Sequence, residues 1–417
     1  MPPAPSSTGA LLRERDYVIY WASRSAASIG VQIQSVTIGW QMYEIARRTM
    51  PIAEAALQVG FIGLCTFIPL FVLALPAGEI ADRRNRRNIL IACNGAEALT
   101  AAALLWAAAT HSASIPFLLA AALAFGAARA FLSPAATALA PMLVPRELLP
   151  RAIAWNSLAW QTAAIAGPAI GGLLVSASPA IAYAAALALY IASIAGFSFI
   201  RKPTKPVAQA GGRLHLIREG LAYTWRNKIV FGAISLDLFA VLLGGATALL
   251  PVFARDVLHV GPEGFGILRA APAVGASLVA LYLAANPIRR HAGPIMFWGV
   301  AVFGFATIVF GLSSFLWFPF AVAIGALATL GGADMLSVFV RQTLVQIVTP
   351  DHMRGRVAAV STLFIGASNE LGEFESGVVA RFLGPIGAAL FGGVGAVAVT
   401  ALWAKLFPEL RKTDRLE

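Results

Sequence analysis

Charged side chains are scarce in this chain. Asp, Glu, Lys and Arg make up 12% of its 417 residues, against 59% for apolar side chains. A soluble domain is about a quarter charged, so a water-covered globule is excluded and most of the surface must face lipid or protein. Cysteine is nearly absent. Cys65 and Cys93 both fall inside apolar runs and read as small packing residues, not as a disulfide or a metal pair. The five histidines (His111, His215, His259, His291, His352) fall at loops or span ends, and no nucleophile–base pair or metal spacing can be placed at membrane depth. A glycine-rich phosphate loop ending in Lys-Ser or Lys-Thr is missing. No enzyme activity, cofactor or metal and no direct ATP drive is therefore expected. The first twelve residues lack an apolar core, so the first spanning helix is the expected insertion signal, not a cleavable peptide.

What the chain has instead is long apolar runs. A spanning helix needs roughly 20 mainly apolar residues, and the pattern predicts twelve: 17–45, 53–79, 88–110, 114–140, 148–176, 179–200, 229–256, 264–286, 293–313, 316–345, 354–381 and 384–406. Several exceed the bilayer thickness, which implies tilt or projecting ends. Pro69, Pro76, Pro168, Pro251 and Pro272 lie within them, as membrane helices permit. The net charge of +11 does not point to nucleic acid, because the basic residues are confined to short breaks between apolar runs. With both termini on one face, that face collects 23 Lys and Arg, the opposite face four (Arg47, Arg48, Arg255, Arg381), and the spans four (Arg24, Arg129, Arg269, Arg341). This asymmetry predicts cytoplasmic termini, with Arg47-Arg48 the one local exception.

The longest break, 201–228, holds Leu214, Ile217, Leu221 and Trp225 at helical spacing among basic residues, which predicts an amphipathic helix on the inner surface. The expected organisation is a cytoplasmic N-terminus at 1–16, a six-helix bundle at 17–200, the linker at 201–228, a second six-helix bundle at 229–406 and a tail at 407–417. A shift of 205 positions superposes parts of the two halves. Pro145 meets Pro350, Arg151 meets Arg356, Gly167 meets Gly372 and Gly172 meets Gly377. An internal repeat in a membrane chain points to a substrate path between the halves.

Between the second and third spans lies Gly78-Glu79-Ile80-Ala81-Asp82-Arg83-Arg84-Asn85-Arg86-Arg87, and the fifth span holds Gly167-Pro168-Ala169-Ile170-Gly171-Gly172. With six plus six helices and a basic middle loop, these residues resemble the major facilitator superfamily. Gly78, Asp82, Arg83, Arg86 and Arg87 are in register with its signature; Asn85 stands at the usual second glycine and can also take a left-handed turn. The fifth span is similar to the signature of superfamily exporters, with Ala154 and Ala163 at two expected glycines. The pattern around Arg354-Gly355-Arg356 and from Gly366 to Gly377 resembles the branch of the enterobactin exporter and macrolide efflux proteins. The resemblance implies two six-helix bundles related by a pseudo-two-fold axis and alternating access. It implies that the Gly78–Arg87 turn latches the halves on the cytoplasmic side, with the start of the eleventh span facing Asp82, and that Gly167, Pro168, Gly171 and Gly172 form a hinge.

Ionisable residues inside spans are functional candidates by default: Arg24, Glu97, Arg129, Asp237, Arg269, Asp334, Arg341, Glu370, Glu373 and Glu375. Asp334 and Arg341, seven apart, share a helix face. Asp237, Asp334, Glu370 and Glu373 are the candidates for proton coupling, since a buried carboxyl can exchange a proton near neutrality. The alternative is a static ion-pair network. Arg24 and Arg341 could neutralise either an acidic substrate or one of these acids. With Gln34, Asn156, Trp160 and Asn369 they are the substrate-binding candidates. The expected function is a proton-coupled exporter (an efflux antiporter) of small amphipathic molecules of the siderophore or drug class. The expected setting is a bacterial-type inner membrane, multi-pass, as a monomer in the lipid bilayer. An importer or lysolipid flippase of the same fold, or a non-transporting sensor, are the alternatives.

Overall fold

The computed structural model describes residues 8–205, 213–286, 288 and 290–414. The expectations for 1–7, 206–212 and 415–417, and for the side chains of Leu214 and Ile217, lie outside the described residues. The described chain is helical throughout. A short α1 (Thr8–Arg13) precedes α2 (Arg15–Ala46), α3 (Ile52–Arg83), α4 (Arg86–Ala109), α5 (Ile115–Leu143), α6 (Leu149–Ala177) and α7 (Pro179–Ser198). Then follow α8 (Arg213–Arg226), α9 (Lys228–Leu243), the three-residue α10 (Leu250–Val252), α11 (Gly261–Ala285), α12 (Ala292–Gly311), α13 (Pro319–Val348), α14 (Asp351–Leu406) and the terminal α15 (Pro408–Arg411). Among the described residues, ten stretches are long and apolar enough to cross a membrane. The other two predicted spans fall on α2, 32 residues long, and on α14, where Gly384 with φ of 72° and ψ of 170° interrupts the helix. The amphipathic helix expected before the seventh span is α8.

The seventh predicted span, 229–256, is not one helix. It stops at Leu243, passes through a 3-10 turn (Ala246–Leu249) and α10, and ends in a π-helical turn, Phe253–Val257. The break falls at a glycine pair packed closely against its neighbours. A Cβ on Gly244 would stand 2.4 Å from the Phe303 ring, and one on Gly245 2.2 Å from the Gly372 carbonyl oxygen. Glycine is the residue that admits such approaches.

By contact the chain forms two compact units, one from 1–41 with 68–211, the other from 42–67 with 212–417. The expected bundle boundaries instead keep 42–67 with the first half. Within the second unit the reason for that grouping is visible. A Cβ on Gly377 would meet Gly60 Cα at 2.8 Å, one on Gly63 would meet the Glu370 carbonyl oxygen at 2.6 Å, and the Phe61 and Phe374 rings stand 5.5 Å apart.

In the first unit, buried Tyr17, Tyr20, Leu90, Leu139 and Phe197 form a core. The tyrosine hydroxyls donate to the carbonyls of Ala152 and Ala136, both at 2.9 Å. In the second, Ile234, Met296, Phe303, Val340 and Leu344 do the same. Small residues rather than a hydrophobic drive let membrane helices pack, and α11 meets α13 through them: a Cβ on Gly275 would stand 1.7 Å from the Ala328 carbonyl oxygen, one on Gly331 2.0 Å from that of Pro272. Gly275→Val should therefore cost roughly 1–3 kcal/mol or more and lower the unfolding midpoint in detergent. Gly325→Ala, where a Cβ meets nothing within 4 Å, should leave the midpoint unchanged.

Candidate functional site

The membrane-depth charges collect into separate groups. In the second unit Asp237 on α9 accepts a 2.6 Å hydrogen bond from Arg341 Nη1 on α13. Both side chains are buried, 7% and 3% exposed. Asp334, two turns before Arg341 on the same helix, stands within Coulombic reach of Asp237 and Arg341. The shared face expected from the seven-residue spacing is thus turned toward α9. One guanidinium serves two carboxyls here, and its Nε has no hydrogen-bond partner among the described residues. Arg341 is committed to an acid of its own chain in this conformation.

Glu373 is elsewhere. It lies 3.5 Å from Arg269 of α11, which also donates to the Thr247 carbonyl at 3.2 Å. Glu370 lies one turn before it, its carbonyl against Gly63. The structure therefore does not assemble the four candidate acids at one point: Asp237 and Asp334 form one group, Glu370 and Glu373 another. Among the substrate-binding candidates, Gln34 is fully buried with neither amide atom hydrogen-bonded among the described residues. The amide oxygen of Asn156 accepts from Tyr17 at 3.4 Å. Trp160 is 51% exposed, Asn369 is exposed, and Arg24 is partly buried on α2.

The Gly78–Arg87 turn is anchored within the first unit by its cations. Arg86 donates to the Ala138 carbonyl at 2.8 Å and Arg87 to the Ile200 carbonyl at 2.6 Å. Arg83 pairs with Glu79 one turn earlier at 2.8 Å, exposed to solvent. Asp82 is exposed and Gly78 buried. Asn85 does not take the left-handed turn expected of it. At φ −63° and ψ 114° it is the N-cap of α4, its side chain accepting from the Arg87 and Asn88 amides and from the Thr204 hydroxyl at 2.6 Å. A cap satisfies orphan amide groups at the helix start, a use for Asn that a glycine does not have. The glycine face of α6 packs on α2: a Cβ on Gly167 would stand 2.5 Å from that of Gln32, one on Gly171 3.2 Å from Ile33 Cα. The helix runs unbroken through Pro168, and Gly172 is buried beside it. In the second half the counterpart Gly372 presses likewise on α9, 2.8 Å from the Val241 carbonyl oxygen to a Cβ placed there.

The family described as transmembrane secretion effector matches residues 6–417. The chain belongs to this family of major facilitator transporters. The enterobactin exporter EntS of Citrobacter koseri is 25% identical over 91% of this chain and 90% of its own length. The multidrug efflux pump Tap of Mycobacterium tuberculosis is 27% identical over 86% of each. Solved structures share the fold at low identity. A D-xylose-proton symporter matches 95% of this chain and 99% of its own with a TM-score of 0.74 at 13% identity. A bacterial homologue of the iron transporter ferroportin in its inward-facing state scores 0.70 at 14%. This is a multi-pass membrane transporter of small molecules and not an enzyme.

One polar group of the transporter was not among the site residues expected from sequence. Asp256, in the π-helical turn, accepts from the Tyr43 hydroxyl and, at 3.0 Å, from Arg47 Nε. The Arg255 guanidinium stands 6.0 Å from the Tyr43 ring centroid. The hydrogen bond from Arg47 to Asp256 holds that guanidinium's pKa above its ordinary value. The exceptional arginines Arg47-Arg48 were the available signal, since a cation against the inside-positive bias needs a local acid.

The shared arginine makes the two sides of the buried pair unequal. Removing one partner of a buried pair costs about 3–5 kcal/mol. Arg341→Gln should show the full loss in detergent unfolding, because Asp237 then faces Asp334 without a cation. Asp237→Asn should lose less, because Asp334 remains to neutralise Arg341.

Proposed function

We propose that this transporter is a proton-coupled exporter of small amphipathic molecules, working by alternating access. The observation that carries the reading is the Asp237–Arg341 pair with Asp334 at the same arginine. Three ionisable groups with one cation leave an excess acid at membrane depth. Hydrocarbon penalises that charge strongly, and a proton is the simplest group that removes it reversibly. Proton release on one side and uptake on the other then changes how tightly Arg341 is held, which is a way to bias two conformations. The names of the enterobactin exporter and the multidrug pump favour export and a cargo of the siderophore or drug class.

In this reading the halves 17–200 and 229–406 act as six-helix bundles around the 201–228 linker. Both termini face the cytoplasm of a bacterial-type inner membrane, and the protein works as a monomer. Asp82 with Gly78 and the arginines of its turn is a cytoplasmic latch. Gly167, Pro168, Gly171 and Gly172 are the points where α6 bends against α2. Glu370 and Glu373 belong to the coupling network through Arg269, while Arg24, Gln34, Asn156, Trp160 and Asn369 meet cargo.

Reconstitution tests the coupling. In inverted vesicles loaded with purified protein, an imposed pH gradient should drive uptake of ethidium or of a catecholate siderophore, and collapsing the gradient should stop it. Asp237→Asn and Asp334→Asn should each lower gradient-driven uptake by tenfold or more, about 1.4 kcal/mol or above in the rate-limiting barrier. Asp82→Asn should slow uptake while leaving membrane insertion intact. Uptake that ignores the gradient ends the proton-coupled reading, and unchanged uptake by Asp82→Asn returns the basic turn to plain topology.

A further inference from the structure

The first unit holds a charged group that this scheme does not use. Glu97, in the middle of α4, is wholly buried. Neither carboxyl oxygen has a hydrogen-bond partner among the described residues, and the same holds for the Tyr190 hydroxyl on α7. A carboxylate removed from water and given no donor is held by charge alone or is neutral. The charge comes from two neighbouring helices: Arg24 of α2 and Arg129 of α5 both act electrostatically on Glu97. From α7 Tyr190 faces it, and from α4 itself Cys93, one turn earlier. Tyr20 of α2 stands by Arg24, but its hydroxyl is used on the Ala136 carbonyl. Arg24 and Arg129 are partly exposed, whereas Glu97 is sealed.

The geometry points to Glu97 as a proton-binding site of the first unit, whose carboxylate attracts Arg24 and Arg129 when ionised and loses that attraction when protonated. Ionised, the group carries two positive charges and one negative. Each proton that Glu97 takes up changes the local charge by one. A static packing role would instead call for the donors that this carboxyl lacks. A proton site here deepens the proton-coupled reading and rests on it for any role in transport, but titration of Glu97 can be read without transport.

Infrared difference spectra of the purified protein, taken while pH is stepped through the neutral range, follow carboxyl protonation directly. The wild-type protein should gain a protonated-carboxyl band on acidification that is lost in Glu97→Gln and kept in Asp237→Asn. Arg129→Gln should move the midpoint of that band upward by about one pH unit or more, since a nearby cation favours the carboxylate. This second variant serves if Glu97→Gln does not fold. A spectrum of folded Glu97→Gln identical to wild type, or an unmoved midpoint in Arg129→Gln, overturns the assignment. Gradient-independent ethidium transport alongside an intact Glu97 band would instead remove the proton-coupled reading and leave the site standing.

Discussion

The absence of water from the hydrocarbon layer governs this molecule. Each backbone polar group there must be satisfied within its own helix, which makes the described chain helical from end to end. Each charge there must be matched by another or neutralised, which makes its few membrane-depth ions informative. Asp237 and Arg341 satisfy the rule as a pair. Asp334, sharing that arginine, and Glu97, without a donor, do not satisfy it in the ordinary way, and both carry the proposals of proton binding. A surface pair such as Arg83–Glu79 obeys no such rule and is worth little, because solvent screens it.

The second governing feature is backbone proximity. Lipid tails are as apolar as leucine, so helices associate by close packing of small residues. Gly275 and Gly331 bring α11 and α13 together, Gly60 and Gly377 bring α3 and α14 together, and Gly244-Gly245 lets α9 end where α14 comes closest. Gly167 of the fifth span and its counterpart Gly372, 205 positions later, do the same on α2 and α9. The repeat read from sequence is therefore a repeat of contacts: the fifth helix of each half presses a glycine on the first helix of that half.

Helix positions were legible because hydropathy alone sets them. The predicted span at 88–110 became Arg86–Ala109, and that at 179–200 became Pro179–Ser198. What was not legible depends on neighbours distant in sequence. The glycine pair after Leu243 lies against the Phe303 ring and the Gly372 carbonyl, and no local pattern announces either. Asn85 stands where the motif has a glycine, but its capping role depends on where α4 begins and on Thr204. The pairing of Asp237 with Arg341 was visible only as two ionisable residues in two spans, while the common face of Asp334 and Arg341 followed from their spacing. Glu97 stands in the sequence as an intramembrane acid, but its lack of donors is a property of packing. Asp256 stood at a span end, where an acid attracts no notice until Arg47 is found beside it.

The central claim is that the Asp237–Arg341 pair exists for coupling and not for stability. Buried ion pairs can often be replaced by apolar residues of similar volume without loss, or with a gain, in stability. The double variant Asp237→Leu/Arg341→Met separates the two roles. With Asp334 left protonated and therefore uncharged, it should unfold at or above the wild-type midpoint in detergent, insert normally, and show no ethidium movement in response to an imposed pH gradient. A double variant that keeps gradient-driven transport at the wild-type rate would contradict the claim and leave the pair as a structural tie between α9 and α13.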